Sequence, residues 1–273
     1  VNSTRPFSPA LALAWTITFV FVMQLLGSLL LKVNPRAIDD IVSLAALEAV
    51  SALLLAAAIL YLHGKEAPLS VSLGLRPTHA AIPFLAMLLG FTVHFPAEAA
   101  DIAIQHFYPN SAADLQREAA LLTAPTLLGR AMVLFFVACV GPLVEEILFR
   151  GALFGALRRF RSLTTTTVVI ALCFMLAHPQ PSKWPAIAIV AFVITYVRAV
   201  SGSLLPTIAM HVVFNAITGV AFAMGQTFDP AARQVDVVPT VAFTAVTGLL
   251  LFGIRYIATR AASARRARAE DAE

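Results

Sequence analysis

The sequence predicts an all-α protein, a polytopic transmembrane helix bundle of about eight spans. Three observations carry that expectation. The 273 residues are 59% hydrophobic and only 12% charged, where a soluble domain has about 25% charged residues; mean hydropathy is +0.85. Apolar runs long enough to cross a hydrocarbon core as helices recur along the chain. The cations between them fall unevenly on alternate loops, as they do where lysine and arginine set topology. A net charge of +4 and a pI near 9.4 would otherwise raise nucleic acid as a partner. In so apolar a chain the basic residues read as topology signals, so the expected surroundings are a lipid bilayer and no nucleic acid.

The spans follow in order. Pro9–Leu31 is the first, with Trp15 near one interface. Its apolar run is longer than a signal h-region and lacks a convincing cleavage site, so it is expected to stay as a span. Lys32–Asp40, holding Asn34-Pro35, is a charged loop. Ile41–Leu62 is the second span and holds Glu48. His63–His79 is a loop, broken by Gly64, Pro68, Gly74 and Pro77. Ala80–Gln105 is a third, weaker span because Pro83 and Pro96 interrupt it. His106–Thr126 is a polar connection, with Asp114, Arg117 and Glu118 on a short surface helix. Leu127–Leu157 is the fourth span, stopped by Arg158-Arg-Phe-Arg161. Leu163–His178 is the fifth, ended by Pro179. Trp184–Val200, Leu204–Met224 and Val237–Ile257 are the sixth, seventh and eighth, with a loop over Gly225–Asp236. The Ala/Arg-rich stretch from Thr259 reads as a solvated helix or a disordered tail.

Counting lysine and arginine by side gives an orientation. Arg5, Lys65, Arg76, Arg158, Arg159, Arg161, Arg198 and the five arginines from Arg255 onward fall on one side, twelve in all. Lys32, Arg36, Arg117, Arg130, Lys183 and Arg233 fall on the other, six in all. This places both termini in the cytoplasm, in a cell membrane crossed several times. Cys139 and Cys173 lie in apolar runs and carry no disulfide framework. Nothing near Cys173 favours a thiolate nucleophile.

The fourth span is the anomalous one. Glu145, Glu146 and Arg150 sit inside it, and an ionisable residue at mid-membrane costs about 2.5–3.5 kcal/mol on insertion scales. Glu146 and Arg150, four apart and acid first, stack on one face as an ion pair. Glu145 is turned away from that face and is free to point elsewhere. Gly141-Pro142, one turn upstream, is expected to kink the helix and loosen its backbone bonds. His178 ends the fifth span. His211 and Asn215, four apart, share a face of the seventh. Carboxylates, imidazoles and an amide on three spans make a site by default.

Their chemistry suits hydrolysis. A carboxylate beside an imidazole can deprotonate water, which assigns Glu145 and His178 to the water. A second imidazole and an amide can donate to a developing oxyanion, which assigns His211 and Asn215 to the substrate carbonyl. Glu146 and Arg150 hold the geometry. Glu and His are also adequate ligands for a divalent metal such as zinc, although no His-Glu-x-x-His helix is present. No Gly-x-Ser-x-Gly nucleophile occurs. Glu48, His94, Glu98 and Asp101 read as structural or as the rim of a substrate entry. An ion- or proton-coupled transporter is the alternative, since buried Glu, Arg and His mark ion pathways; it would favour inverted halves, and no internal repeat is evident. A catalytically silent scaffold of the same fold is a third reading.

Glu145-Glu146-x-x-x-Arg150, Phe174-x-x-x-His178 and His211-x-x-x-Asn215 together resemble the three signature motifs of the CPBP family, the CAAX-protease and bacteriocin-processing intramembrane proteases, which include the type II CAAX prenyl endopeptidases. The motifs stand intact, in order and on separate spans. The resemblance implies an eight-helix bundle with a cavity open to the membrane, and peptide-bond hydrolysis by a glutamate-activated water. It implies a peptide or membrane-protein substrate, with peptide maturation or bacteriocin immunity as roles. The family is often called metalloproteases, and these motifs leave the metal open. On this basis the chain divides into N-terminal transmembrane helices (1–126), a CPBP-like catalytic core (127–222), a last transmembrane helix (223–258) and a polar cytoplasmic tail (259–273).

Overall fold

The computed structural model describes residues 9–34, 41–63, 68–110, 126–224 and 234–271. Among them every regular element is helical. Eight long helical units occur: α1 Pro9–Val33, α2 Ile41–His63, α3 Ala81–Gln105, α4 Leu127–Arg158, α5 Leu163–Leu176, α6 Trp184–Ser201, α7 Leu205–Ala223 and α8 Val237–Glu270. Among the described residues α1, α3, α4, α6 and α8 are long and apolar enough to cross a membrane; α5 and most of α7 are shorter apolar helices. The polytopic helical bundle expected from the hydropathy is thus what forms. The surface helix expected around Asp114, Arg117 and Glu118, and the side chain of Glu48, lie outside the described residues.

The ends of the helices have local causes. Thr126 opens α4 by accepting the Gly129 N–H at 3.0 Å, and Ser162 opens α5 by accepting that of Thr165 at 3.1 Å, both N-caps of the favoured type. Gly202 closes α6 in the left-handed conformation at φ +68°, where glycine has no steric penalty. α3 is interrupted at Val93, between Ala81–Thr92 and His94–Gln105. Pro96 explains this, because it has no N–H to return to the Thr92 carbonyl. α5 ends at Leu176, two residues before the expected boundary, so His178 lies on the turn beyond it. α8 continues as helix to Glu270, so the described part of the Ala/Arg-rich tail is helical.

The interior forms two apolar clusters. One gathers Ala12, Leu55, Leu148, Phe149, Leu153, Ile170 and Phe174 around the second half of α4. The other gathers Ile82, Leu89, Val193, Ile194, Met210 and Ile254 from α3, α6, α7 and α8. The polar residues of α4 lie where these clusters meet. α3 and α7 approach closely at Gly90, where a Cβ would come within 2.5 Å of the Met210 carbonyl, the small-residue packing that membrane helices favour. Thr247 of α8 donates to Thr92 of α3 at 2.8 Å. Large apolar side chains such as Phe21, Leu53, Leu249 and Phe252 face outward, as a lipid-facing surface requires.

Candidate active site

The site begins with the backbone of α4, which departs from the α-helical pattern twice. Over Phe136–Val140 it widens, and the Gly141 N–H bonds five residues back, to Phe136. The next such bond would come from Pro142, which has no N–H. The Val137 carbonyl is therefore left open, and Asn215 Nδ2 of α7 donates to it at 2.9 Å. The expected kink at Gly141-Pro142 takes this form. The second wide stretch, Ile147–Leu153, contains no proline. Arg198 of α6 enters it, its Nε donating to the Arg150 carbonyl at 2.9 Å. The Phe154 N–H bonds to Phe149, five residues back. A side chain inserted into the ladder is a recognised source of such irregularity.

Glu146 and Arg150 are completely buried and paired, with Nη1 to Oε1 at 2.8 Å. The guanidinium spends its remaining donors well. Nε donates to Thr195 Oγ1 at 3.1 Å and Nη2 to the Ala191 carbonyl at 3.2 Å, both on α6. Its carbon lies 4.2 Å from the centre of the Phe174 ring. A buried ion pair needs such extra bonds to offset its desolvation.

His211 joins the two carboxylates. Its Nδ1 lies 2.9 Å from Glu146 Oε1 and its Nε2 lies 3.6 Å from Glu145 Oε2. The first is a hydrogen bond; the second is too long for one. The two glutamates differ in access, with the Glu145 side chain 36% exposed and that of Glu146 at 0%. Among the described residues Glu146 Oε2 is buried without a hydrogen bond, and the nearby Thr207 hydroxyl donates to the Leu204 carbonyl at 2.8 Å.

His178 and Asn215 are arranged less directly. His178 Nδ1 donates to the Phe174 carbonyl at 2.9 Å, so Nε2 is its remaining nitrogen. The His178 carbonyl accepts from Trp184 Nε1 at 2.9 Å. No hydrogen bond or ion pair joins His178 to either glutamate among the described residues. It meets the rest through Phe174, whose ring centre is 4.9 Å from that of His178 and 5.9 Å from that of His211. Asn215 spends one N–H of Nδ2 on Val137, and the second remains. The structure thus brings Glu145, Glu146, Arg150 and His211 into one contact set and places His178 and Asn215 at its edge.

The remaining polar residues have structural partners. His94 Nε2 bonds the Phe214 carbonyl at 2.9 Å and its ring stacks on Phe214 at 4.0 Å. Asp101 is buried and paired with Lys183 at 3.5 Å. Glu98 lines a second cavity of about 230 Å³ with Asp236. Sequence reasoning missed Thr195 and Arg198, which hold Arg150, and Gln24 of α1, whose Nε2 donates to the Ala177 carbonyl at 2.9 Å beside His178. Gln24 had a signal, an amide within an apolar span.

For a metal, a catalytic zinc site takes three protein ligands. Here Glu145 and His211 Nε2 converge, Glu146 Oε1 is engaged by Arg150 and His211, and His178 keeps Nε2 with its Nδ1 on the Phe174 carbonyl, the way metal-binding histidines are commonly held. No group of three or more His, Cys, Asp or Glu able to hold a metal occurs among the described residues. Glu145 and the Nε2 atoms of His178 and His211 are the donors that would hold a divalent ion, though no hydrogen bond or ion pair joins His178 to either glutamate among the described residues.

Fold and site together define a membrane-embedded helical protein with a carboxylate–imidazole centre buried between helices. Residues 127–217 match the family model described as Rce1-like, Type II CAAX prenyl endopeptidase Rce1-like. That stretch, about a third of the chain, contains all six candidate residues, and its likeness supports a CAAX-type intramembrane protease. No curated protein matches the chain significantly, and no solved structure does.

Proposed function

We propose that the protein is an intramembrane endopeptidase that hydrolyses a peptide bond near the membrane surface with a glutamate-activated water. The observation that carries this reading is the asymmetry about His211: one nitrogen on a fully buried glutamate, the other facing a partly exposed one. Glu145 takes a proton from water, and the hydroxyl oxygen adds to the peptide carbonyl carbon. His178, with Nε2 uncommitted, helps to hold that water. The developing oxyanion takes hydrogen bonds from the second N–H of Asn215 and from Nε2–H of His211, which reacts as the imidazolium with Nδ1–H on Glu146 and Nε2–H turned to the substrate. Collapse breaks the C–N bond, and the leaving amine takes the proton from Glu145. Glu146, pinned by Arg150, fixes the imidazole by its Nδ1.

The substrate is a peptide or a membrane-protein segment, and both termini of the enzyme are cytoplasmic. The test uses purified full-length protein in detergent with a membrane peptide. Glu145→Gln is expected to lower turnover by about 10²–10⁴-fold, the usual share of a general base, with the melting temperature unchanged. Equal turnover by wild type and variant would sink the assignment. Proteomic comparison of membranes holding wild type or Glu145→Ala then identifies the substrate as the species that accumulates uncut.

A further inference from the structure

A second feature lies at the far end of α4 from the Thr126 cap. A cavity of about 390 Å³ opens between the C-terminal ends of α4 and α6 and the turn at Gly74. Arg76, Arg158, Arg159 and Arg198 line it, and no acidic residue does among the described residues. Glycines help to keep it open. Gly202 lines it with no atom within 4 Å of where a Cβ would stand, and a Cβ on Gly74 would collide with the Arg198 guanidinium. The wall is fixed: Leu204 N–H bonds the Gly74 carbonyl at 2.9 Å, and Ser203 Oγ donates to the Arg76 carbonyl at 2.6 Å.

Arg198 is the informative residue. It is only 6% exposed. Nε is spent on the Arg150 carbonyl, and the guanidinium lies 4.7 Å from the Phe154 ring centre. No carboxylate forms an ion pair with it among the described residues. The charge near it at this end, Arg76, has its own sign. The carboxylate that attracts it, Glu146, is already paired with Arg150, and a buried cation beside a like charge with no counter-ion of its own is unfavourable. An anion in the cavity would relieve it. The guanidiniums of Arg76, Arg158 and Arg198 around one concavity exceed what a single carboxylate needs and suit the several oxygens of a phosphate, which arginine recognises through paired N–H donors. The position, at the ends of spans, is where basic pockets between membrane helices take lipid headgroups.

We propose that this cavity is a binding site for a phosphate-bearing anion, distinct from the carboxylate centre. Both a phospholipid headgroup and free phosphate offer that chemistry. The test uses the full chain in micelles, with phosphatidylglycerol or inorganic phosphate as probe. Wild type is compared with Arg76→Ala/Arg158→Ala, two exposed positions whose loss should leave the unliganded melting temperature unchanged. Arg158→Glu alone repeats the comparison, and Arg265→Ala/Arg268→Ala in the tail serves as control. If the headgroup is the ligand, native mass spectrometry shows phosphatidylglycerol retained by wild type and control and reduced at least ten-fold in both cavity variants. If free phosphate is the ligand, added phosphate raises the melting temperature of wild type and control but not of the cavity variants, with lipid retention equal. Equal behaviour of all four proteins towards both probes overturns the proposal.

Discussion

At the scale of single residues, the two glutamates should separate cleanly by experiment. Glu146→Gln leaves Arg150 as a buried charge without its partner, and breaking such a pair costs about 3–5 kcal/mol. It is expected to lower the melting temperature as well as activity, whereas Glu145→Gln should lower activity alone; thermal denaturation beside turnover checks both. The six polar positions were legible because each stands in an apolar run, where an acid, an imidazole or an amide is conspicuous. Thr195 was not, since a threonine in a membrane helix ordinarily satisfies itself, as it partly does here by donating to Ala191 at 2.6 Å. Arg198 was read as a topology signal because it lies near the end of its span. Only the folded chain shows its Nε on the Arg150 carbonyl. Nor could spacing show that both glutamates meet one imidazole, because adjacent residues leave a helix in different directions and the imidazole of α7 spans the gap.

Among the elements, α4 carries the most information. Proline at 142 was legible as a disturbance, but its consequence depended on α7, which supplies the amide that satisfies Val137. Asn215→Ala should leave that carbonyl unpaired, at about 1–3 kcal/mol if it stays dry. Pro142→Ala supplies an N–H for it. The two substitutions are therefore expected to be non-additive, with Asn215→Ala costing less stability in the Pro142→Ala background; a double-mutant cycle on thermal stability checks this. The second wide stretch of α4 was illegible, having no proline or glycine pair to announce it, and the side chain that bonds its open carbonyl lies 48 residues away in sequence. The contact of α3 with α7 gives a simpler expectation. Gly90→Leu must push the Met210 carbonyl away, so the melting temperature should fall even in the absence of substrate.

For the whole molecule, the bundle was legible because hydropathy alone marks the spans, and the boundaries moved by only a residue or two at most ends. The arrangement of the spans was not legible, because lipid-facing and buried positions are equally apolar and the sequence gives no alternation to distinguish them. With an even number of crossings, tags at the two ends should be digested together by protease added from one side of sealed vesicles and protected together from the other; digestion of only one tag would refute it.

The widened coil over Phe136–Val140 also sets a clock face. Each residue added to or removed from a helix turns everything beyond it by roughly 100°. A chain lacking one residue between Phe136 and Val140 would wind more evenly, yet would swing Glu145 and Glu146 about a quarter turn or slightly more out of phase with His211. Regularity and a working centre are therefore in opposition along α4, and shortening this stretch by one residue should yield a protein that still inserts and folds but cuts nothing.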